Sequence, residues 1–280
     1  MRTYVITGGT DGMGKGLGLH FLRRGDKVIA VASGEAKGRA FLAEARGLGA
    51  EGRAVFLRAD LSTVAGMRHV VEEVKATTEA VDGLVFATQR FRSTREETVD
   101  GLEFTFALAY LSRFVICHGL MEHLERAEAP VVMNIAGPGG VPGHVKWDDL
   151  QWRKGYTGMR AAMQASRCND LLGVAFPARY PAARTRYVLY NPGFVNTSLA
   201  DPLPQPKRAV VKAFARLFAT PVGKAIVPIA ALLDNAPGPA ITAYKQGKPL
   251  RLTAKEFDPA NAARLDSVTT NLLEQITVIR

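Results

Sequence analysis

Apolar residues recur in short runs along the first half of the chain, and segments of helical period separate one run from the next. Short apolar runs bounded by turn residues are typical of buried strands, whereas an apolar residue every three or four positions is typical of a helix. The pattern predicts strands at residues 27–32, 54–57, 83–87 and 130–135, and helices at 36–48, 64–77 and about 99–124. This alternation predicts an α/β fold, a single Rossmann-type, doubly wound parallel sheet with helices on both faces.

The second half continues the alternation less regularly. The pattern there predicts an amphipathic helix at 208–218 after a proline-broken stretch, a helix at 222–235, a last parallel strand at 240–244 and a polar helical tail from Lys255 onward. The chain has 280 residues, is 47% hydrophobic and contains no low-complexity run, which favours one domain over residues 1–280.

A glycine-rich turn lies between the first strand and the first helix. Val5 and Ile6 lead into it, and Leu17 and Leu19 follow on the helix. Glycine lets backbone amides approach a phosphate closely, and the positive end of the following helix points to the same place. The turn therefore predicts a dinucleotide site lined by Gly8, Thr10, Asp11, Gly12, Met13 and Gly14.

The end of the second strand bears on the choice of cofactor. It lacks the acidic residue that binds a ribose 2'-hydroxyl and would repel a 2'-phosphate. Ser33 can hydrogen-bond such a phosphate, and Lys37 or Arg39 adds positive charge, so we expect NADP, with NAD as the alternative. The acidic Asp11 in the glycine turn is evidence against NADP. We expect its carboxylate instead to cap the first helix.

Composition narrows the possible partners. The net charge of +10 comes from basic residues scattered along the chain, which predicts no nucleic-acid site. No apolar stretch is long enough to span a bilayer, no signal peptide is visible, and no metal-ligand spacing occurs. Cys117 and Cys168 are expected to be reduced and buried, so we expect a cytoplasmic protein without a metal.

Three motifs in order make the chain resemble the short-chain dehydrogenase/reductase superfamily. They are the glycine turn, the pair Asp60 and Leu61 after the third strand, and the segment 191–197 near the nicotinamide. The insert at 145–150 further resembles the retinol-dehydrogenase-like branch. The resemblance implies cofactor contacts from Asp60, Leu61, Ala87, Pro192, Gly193, Val195 and Thr197. It also implies a substrate lid at about 199–220, a tail at 255–280 and a homodimer or homotetramer.

The catalytic residues of that family are not retained. In the family a Tyr protonates the substrate, a Lys assists it, a Ser orients the carbonyl and an Asn completes a proton relay. Ala109 takes the place of the Asn, Gly137 that of the Ser and Arg167 that of the Lys. Met163 takes the place of the Tyr, or Ala162 if the register slips by one.

A second register is open, because Tyr156 and Arg160 also have the spacing of the family's Tyr and Lys. In that register Tyr156 is the acid and Arg160 its partner; otherwise Tyr156 is a rim aromatic. Under either register an Arg replaces the Lys, and a guanidinium binds ribose hydroxyls but does not shuttle a proton.

These features predict an atypical NAD(P)H-dependent ketoreductase. Its expected substrate is a bulky apolar ketone, such as an aromatic polyketide, whose own phenol or water supplies the proton. A non-redox cyclase or isomerase is the alternative, with Tyr110, His144, Tyr156 and Tyr190 as possible acid/base groups. A pseudoenzyme that only binds the cofactor is the third hypothesis.

Overall fold

The structure is a computed structural model that describes residues 1–140, 143–195 and 219–278. One eight-stranded sheet runs through it in the order β3-β2-β1-β4-β5-β6-β7-β8, parallel except for the last strand. The strands are β1 (Thr3–Thr7), β2 (Lys27–Ala32), β3 (Ala54–Arg58), β4 (Gly83–Phe86), β5 (Val131–Ile135), β6 (Arg186–Asn191), β7 (Ile241–Lys245) and β8 (Lys248–Leu250). This sheet confirms the predicted Rossmann-type α/β fold.

Helices cover both faces of the sheet. They are α1 (Gly12–Arg24), α2 (Glu35–Gly47), α3 (Val64–Thr77), α4 (Phe104–Phe106), α5 (Ser112–Gly119), α6 (Met121–Glu125), α7 (Gly158–Arg179), α8 (Val222–Ala225), α9 (Val227–Asp234) and α10 (Pro259–Val278). Residues of α3, α5, α7 and α10 form one hydrophobic core, and residues of α1, α2 and α9 form the other. The inner strands β1, β4 and β5 are buried along their whole length and are largely apolar, as strands covered on both faces are.

The long helix predicted at about 99–124 is wrong at its start and in its continuity, although the last helical segment ends at Glu125, one residue from the predicted end. A turn at Gly101, with φ +72°, delays its start to Phe104. Glu103 caps that start, accepting the amides of Thr105 at 2.8 Å and Phe106 at 2.7 Å. A π-helical segment, Ala107–Leu111, then separates α4 from α5, and the chain breaks again before α6. The apolar periodicity was continuous, but caps and a π turn interrupt the hydrogen-bond ladder.

The C-terminal helix α10 packs on α7 of the same chain. The Tyr110 hydroxyl, in the π-helical segment, lies 2.7 Å from Thr269 Oγ1, and Arg179 pairs with Asp266 at 2.8 Å. Burial of Ala262 and Leu265 completes the contact. The sequence left open whether this tail packs on its own chain or on a neighbour, and the structure places it on its own chain.

Two further expectations concern the state of the cysteines and membrane-spanning helices. Cys117 and Cys168 are buried and unbonded, and burial raises the pKa of the Cys117 thiol to about 12. Among the described residues, no helix is both long and apolar enough to cross a bilayer.

His118 makes the fold sensitive to acid. Its ring packs against Phe114 with 4.3 Å between centroids, and its Nδ1 lies 3.0 Å from the Tyr180 hydroxyl. Burial and the neighbouring Arg179 cation lower the pKa of His118 from 6.5 to about 3. The unfolded chain therefore takes up a proton that the folded chain does not, and the free energy of unfolding falls between pH 6.5 and 3 by about 1.4 kcal/mol per unit of pKa difference.

We expect His118→Gln to remove this contribution. Urea unfolding at pH 6.5, 5.5 and 4.5 should show a shallower loss of stability for the variant than for the wild type. Parallel profiles would contradict the assignment, whatever the absolute stability of the variant.

Candidate functional site

Contacts with the protein's own backbone require glycine at two positions of the turn between β1 and α1. Gly8 has φ +70°, and a Cβ there would lie 3.0 Å from the carbonyl of Ala87. A Cβ on Gly14 would lie 2.3 Å from the Gly8 oxygen, so the first turn of α1 packs directly on the loop. The N-terminal amides of α1 thus point to the edge where β1 and β4 end, which fits the diphosphate of a dinucleotide.

Asp11 is the N-cap of α1, the role that its place in the loop predicts. Its Oδ1 accepts the amide of Gly12 at 2.8 Å, and its Oδ2 lies 2.5 Å from Lys37 Nζ. Thr10 is buried beside it, and Met13 packs against the core under α1. The carboxylate that opposed NADP in the sequence is therefore paired with a cation.

Cations surround the end of β2, where the sequence predicts the 2'-phosphate. Ser33 and Lys37 are exposed there. Arg58, the last residue of β3, lies opposite Ala32 in the ladder and donates to Glu35 Oε2 at 3.0 Å, so its guanidinium lies near the end of β2. Sequence reasoning missed Arg58 because the register of β2 with β3 decides its position.

The turn after β3 is built around Asp60. Its Oδ1 accepts both the amide of Ser62 at 2.9 Å and the hydroxyl of Ser62 at 2.7 Å. A Cβ on Gly66 would lie 2.1 Å from the Asp60 carbonyl oxygen, so α3 starts in close contact with this turn. Leu61 is buried, and Asp60 remains exposed.

Asn191 joins the loops that follow β5 and β6. Its Nδ2 donates to the Pro138 oxygen at 3.0 Å, and its Oδ1 accepts the amide of Gly193 at 2.9 Å. Gly193 has φ +73°, a left-handed backbone conformation that favours glycine. Pro192 and Val195 lie in the described part of this loop, whereas Thr197 and lid residues 199–218 lie outside the described residues.

The four positions that correspond to the family's catalytic residues lie in the π-helical segment, in the loop after β5 and on α7. Ala109 is buried in the π-helical segment, and its oxygen accepts Asn169 Nδ2 at 2.8 Å. Gly137 follows the end of β5, and Met163 lies in the second turn of α7. None of these three side chains can donate a proton.

Arg167 is turned toward a carboxylate of its own helix. Its Nη1 lies 2.5 Å from Asp170 Oδ2, and both side chains are buried. Burial raises the pKa of the Asp170 carboxyl to about 7, against the opposing effect of the Arg167 cation. The ion pair therefore gives Arg167 a structural partner inside α7.

Tyr156 and Arg160, the pair of the second register, are not brought together. Tyr156 precedes the Thr157 cap of α7, and its hydroxyl lies 3.3 Å from Glu103 Oε1 and 3.4 Å from the Arg92 oxygen. Arg160 is exposed and donates to the Gly155 oxygen at 3.1 Å. Burial raises the pKa of Tyr156.

Three other possible acid/base groups have different surroundings. Tyr110 contacts α10 through Thr269, and burial raises its pKa well above the ordinary value. Tyr190 is buried in β6. His144 is exposed and lines a cavity.

This cavity, of about 530 Å³, lies beyond Arg167 at the carboxyl edge of the sheet. The loop after β5 contributes Gly139, Gly140, Gly143, His144, Val145 and Trp147. The other lining residues are Arg167, Leu171, Lys245, Lys255, Glu256 and Asn261. Two contacts hold the insert at 145–150, which forms part of the cavity wall. The Arg264 guanidinium lies over the Trp147 ring at 4.3 Å, and Gln164 donates to the Leu150 oxygen at 2.8 Å. The lining thus combines apolar side chains with three basic residues and the acidic Glu256.

A buried polar network lies below the catalytic positions, and sequence reasoning missed it. Asn134 Nδ2 donates to the Tyr187 hydroxyl at 2.7 Å and to Asn169 Oδ1 at 3.3 Å. Asn134 Oδ1 accepts Arg113 Nη1, which also donates to the Ile135 oxygen at 2.9 Å. These residues come from β5, β6, α5 and α7, so only the fold brings them together.

A sequence model described as short chain dehydrogenase matches residues 2–148 of the chain. The chain belongs to the short-chain dehydrogenase family. Two curated relatives are retinol dehydrogenase 13 of Mus musculus, 27% identical, and polyprenol dehydrogenase of Danio rerio, 30% identical. The matches cover 71% and 79% of this chain, and 60% and 70% of those relatives. The chain thus spans less than two thirds of the length of retinol dehydrogenase 13.

Solved structures show the same fold. An uncharacterised protein from Mycobacterium paratuberculosis has a TM-score of 0.72 at 22% identity, with 98% of this chain and 94% of that one covered. A short-chain dehydrogenase from Sphingobium yanoikuyae, solved in complex with NADPH, has a TM-score of 0.65 at 15% identity, with 98% and 96% covered. Membership of the short-chain dehydrogenase family confirms the resemblance drawn from the three motifs.

The ion pair in α7 gives a prediction that separates a structural from a catalytic Arg167. Arg167→Met leaves Asp170 buried without this cation, so the pKa of Asp170 rises further. The folded state then holds a proton that the unfolded state releases above about pH 4, and stability falls with rising pH. We expect a loss of about 3 to 5 kcal/mol at pH 8.5 and a smaller loss at pH 5.5, measured by urea unfolding.

The double variant with Asp170→Asn is the control. It removes the buried carboxyl, so its stability should lose the pH dependence and recover much of the loss at pH 8.5. Equal destabilisation of Arg167→Met at both pH values would contradict the structural role.

Proposed function

We propose that the protein is an NADP(H)-dependent ketoreductase of atypical active site, acting on a bulky, largely apolar ketone. The observation that carries this proposal is the combination of an intact dinucleotide cradle with the absence of proton-donating side chains at positions 109, 137 and 163. Membership of an oxidoreductase family supports the reaction type. By analogy with the family, a homodimer or homotetramer in the cytoplasm is the proposed setting.

The residues at the carboxyl edge fit a dinucleotide. The glycine turn and the amides of α1 would hold the diphosphate, and Ser33, Lys37 and Arg58 the 2'-phosphate. The fold relative from Sphingobium yanoikuyae in complex with NADPH and one from Burkholderia cenocepacia in complex with NADP support the choice of cofactor. Asp60, Leu61, Ala87, Pro192, Gly193, Val195 and Thr197 complete the proposed cofactor site.

When bound, the reduced dinucleotide supplies a hydride to the carbonyl carbon of the ketone. The chain's own part is to position the two reactants and to exclude water, which is worth several kcal/mol in such reactions. The alkoxide that forms needs one proton. A phenol hydrogen-bonded to the ketone within the substrate can give it and recover one from solvent, which replaces the missing Tyr.

The cavity beyond Arg167 is the proposed substrate site. Val145, Trp147 and Leu171 supply apolar contact. Met163, at the Tyr position, is not among the lining residues of the cavity but lies against Gly143, which is one of them. Arg167, Lys245 and Lys255 outnumber Glu256 in the lining, which favours a substrate with phenolic or other electron-rich oxygen groups.

The cations at the end of β2 predict the cofactor preference. We expect Lys37→Ala and Arg58→Ala each to weaken NADPH binding by about fivefold to tenfold, as loss of a charge-assisted contact would, and NADH binding little. Fluorescence titration of both cofactors measures this. Lys75→Ala, which removes the same charge from the far end of α3, is the matched control, and equal losses for NADPH and NADH would contradict the assignment.

The reaction itself is tested with matched ketones. A polycyclic ketone with a neighbouring hydroxyl should be reduced with stoichiometric consumption of NADPH. Its methyl ether, which lacks the internal proton, should react about 100- to 10,000-fold more slowly, the usual worth of general acid catalysis.

The outcomes separate the hypotheses. Cofactor binding without turnover of any hydroxylated ketone would contradict the ketoreductase proposal. Conversion of a substrate without NADPH consumption would favour the non-redox cyclase or isomerase instead.

A further inference from the structure

Arg113 is a fully buried guanidinium held only by neutral groups. It lies on α5 and is 1% exposed. Its Nη1 donates to Asn134 Oδ1 and to the Ile135 oxygen at 2.9 Å, and its Nη2 donates to the Thr88 oxygen at 3.0 Å. Its Nε is buried without a hydrogen-bond partner, and among the described residues no carboxylate pairs with it.

The side chain nevertheless keeps its charge. Burial lowers the pKa of Arg113 to about 10, which is still well above neutral pH. A buried charge without a counter-charge is costly, and neutral donors of similar size can hold two carbonyls at less cost. Fixing the ends of the strands therefore does not by itself account for a cation here.

The charge lies directly behind the proposed cofactor site. Thr88 follows Ala87, and Ala87 is the residue against which Gly8 of the glycine turn packs. Ile135 ends β5 and precedes Ala136 and Gly137, the positions where the family carries its serine. The guanidinium thus joins the ends of β4 and β5, between the glycine turn and the catalytic positions.

We propose that Arg113 determines which oxidation state of the cofactor the site prefers. The inference rests on the proposed dinucleotide site. The nicotinamide ring is positively charged when oxidised and neutral when reduced, whereas the phosphates carry the same charge in both forms. A fixed, buried cation under the site therefore weakens binding of the oxidised form selectively and biases the protein toward carbonyl reduction.

The expected size follows from the repulsion of two charges. Two unit charges about 10 Å apart at an effective dielectric constant of about 20 repel by an energy that changes a Kd roughly fifteenfold. Because Arg113 has no paired carboxylate, little of this repulsion is cancelled locally.

The test compares Arg113→Gln with Arg113→Lys. Both variants lose the fork that spans Thr88 and Ile135, but only the lysine keeps the charge. The Kd values for NADPH and NADP⁺ are measured for each protein by fluorescence titration and competition. We expect the ratio of Kd for NADP⁺ to Kd for NADPH to fall about tenfold or more in Arg113→Gln and to stay within about threefold of wild type in Arg113→Lys. The ratio cancels any loss of affinity common to the two cofactor forms.

Asn134→Asp tests the same charge without removing Arg113. It places a carboxylate against Nη1, so the ratio should fall as in Arg113→Gln, whereas Asn134→Leu, which adds no charge, should keep it. A thermal melt confirms that each variant is folded, and Asn134→Asp carries the test if the Arg113 variants do not fold.

The outcomes distinguish this inference from the proposed function. An unchanged ratio in Arg113→Gln or Asn134→Asp, with both cofactors still bound, would overturn the role of Arg113 alone. Wild-type protein that binds neither form would overturn the proposed function, and this inference with it.

Discussion

Asn134 lies at the point where β5 ends, and its amide connects elements that are distant in the sequence. It joins Tyr187 on β6, Asn169 on α7 and Arg113 on α5. Asn169 extends the connection to the Ala109 oxygen in the π-helical segment. Buried polar groups must find partners inside the protein, so this network fixes the relative positions of the strand ends and of both helices. The geometry of the candidate site depends on that arrangement even though the catalytic side chains have been replaced.

The sequence predicts the sheet and most of its helices because their signals are local. The helix at 64–77 and the strand at 27–32 agree with α3 and β2 residue for residue. The helix at 99–124 is wrong because its true start depends on the Glu103 cap and its middle on a π turn, neither of which interrupts the apolar periodicity. The short strand β8 was not predicted, since it is defined by antiparallel pairing with β7.

The candidate site likewise has a part that can be predicted from the sequence and a part that cannot. The glycine turn is readable because its function requires particular residue types at a fixed spacing within one loop. Arg58 and Arg113 are not readable, because each resembles an ordinary basic residue of a strand or helix. Their importance arises from partners 23 to 25 residues away, Glu35 and Thr88, which only the strand order brings near.

The loss of the family's proton donor and the retention of a buried cation bear on the same question. A tyrosine acid works in both directions, because it returns the proton when the reaction is reversed. The phenol proposed to replace it would also work in both directions, because the alcohol product carries the same group, so the missing Tyr does not by itself favour reduction. Under the proposed roles, a preference between the two directions would come from the relative affinities for the two cofactor forms, which is the part proposed for Arg113, and not from the replaced catalytic positions.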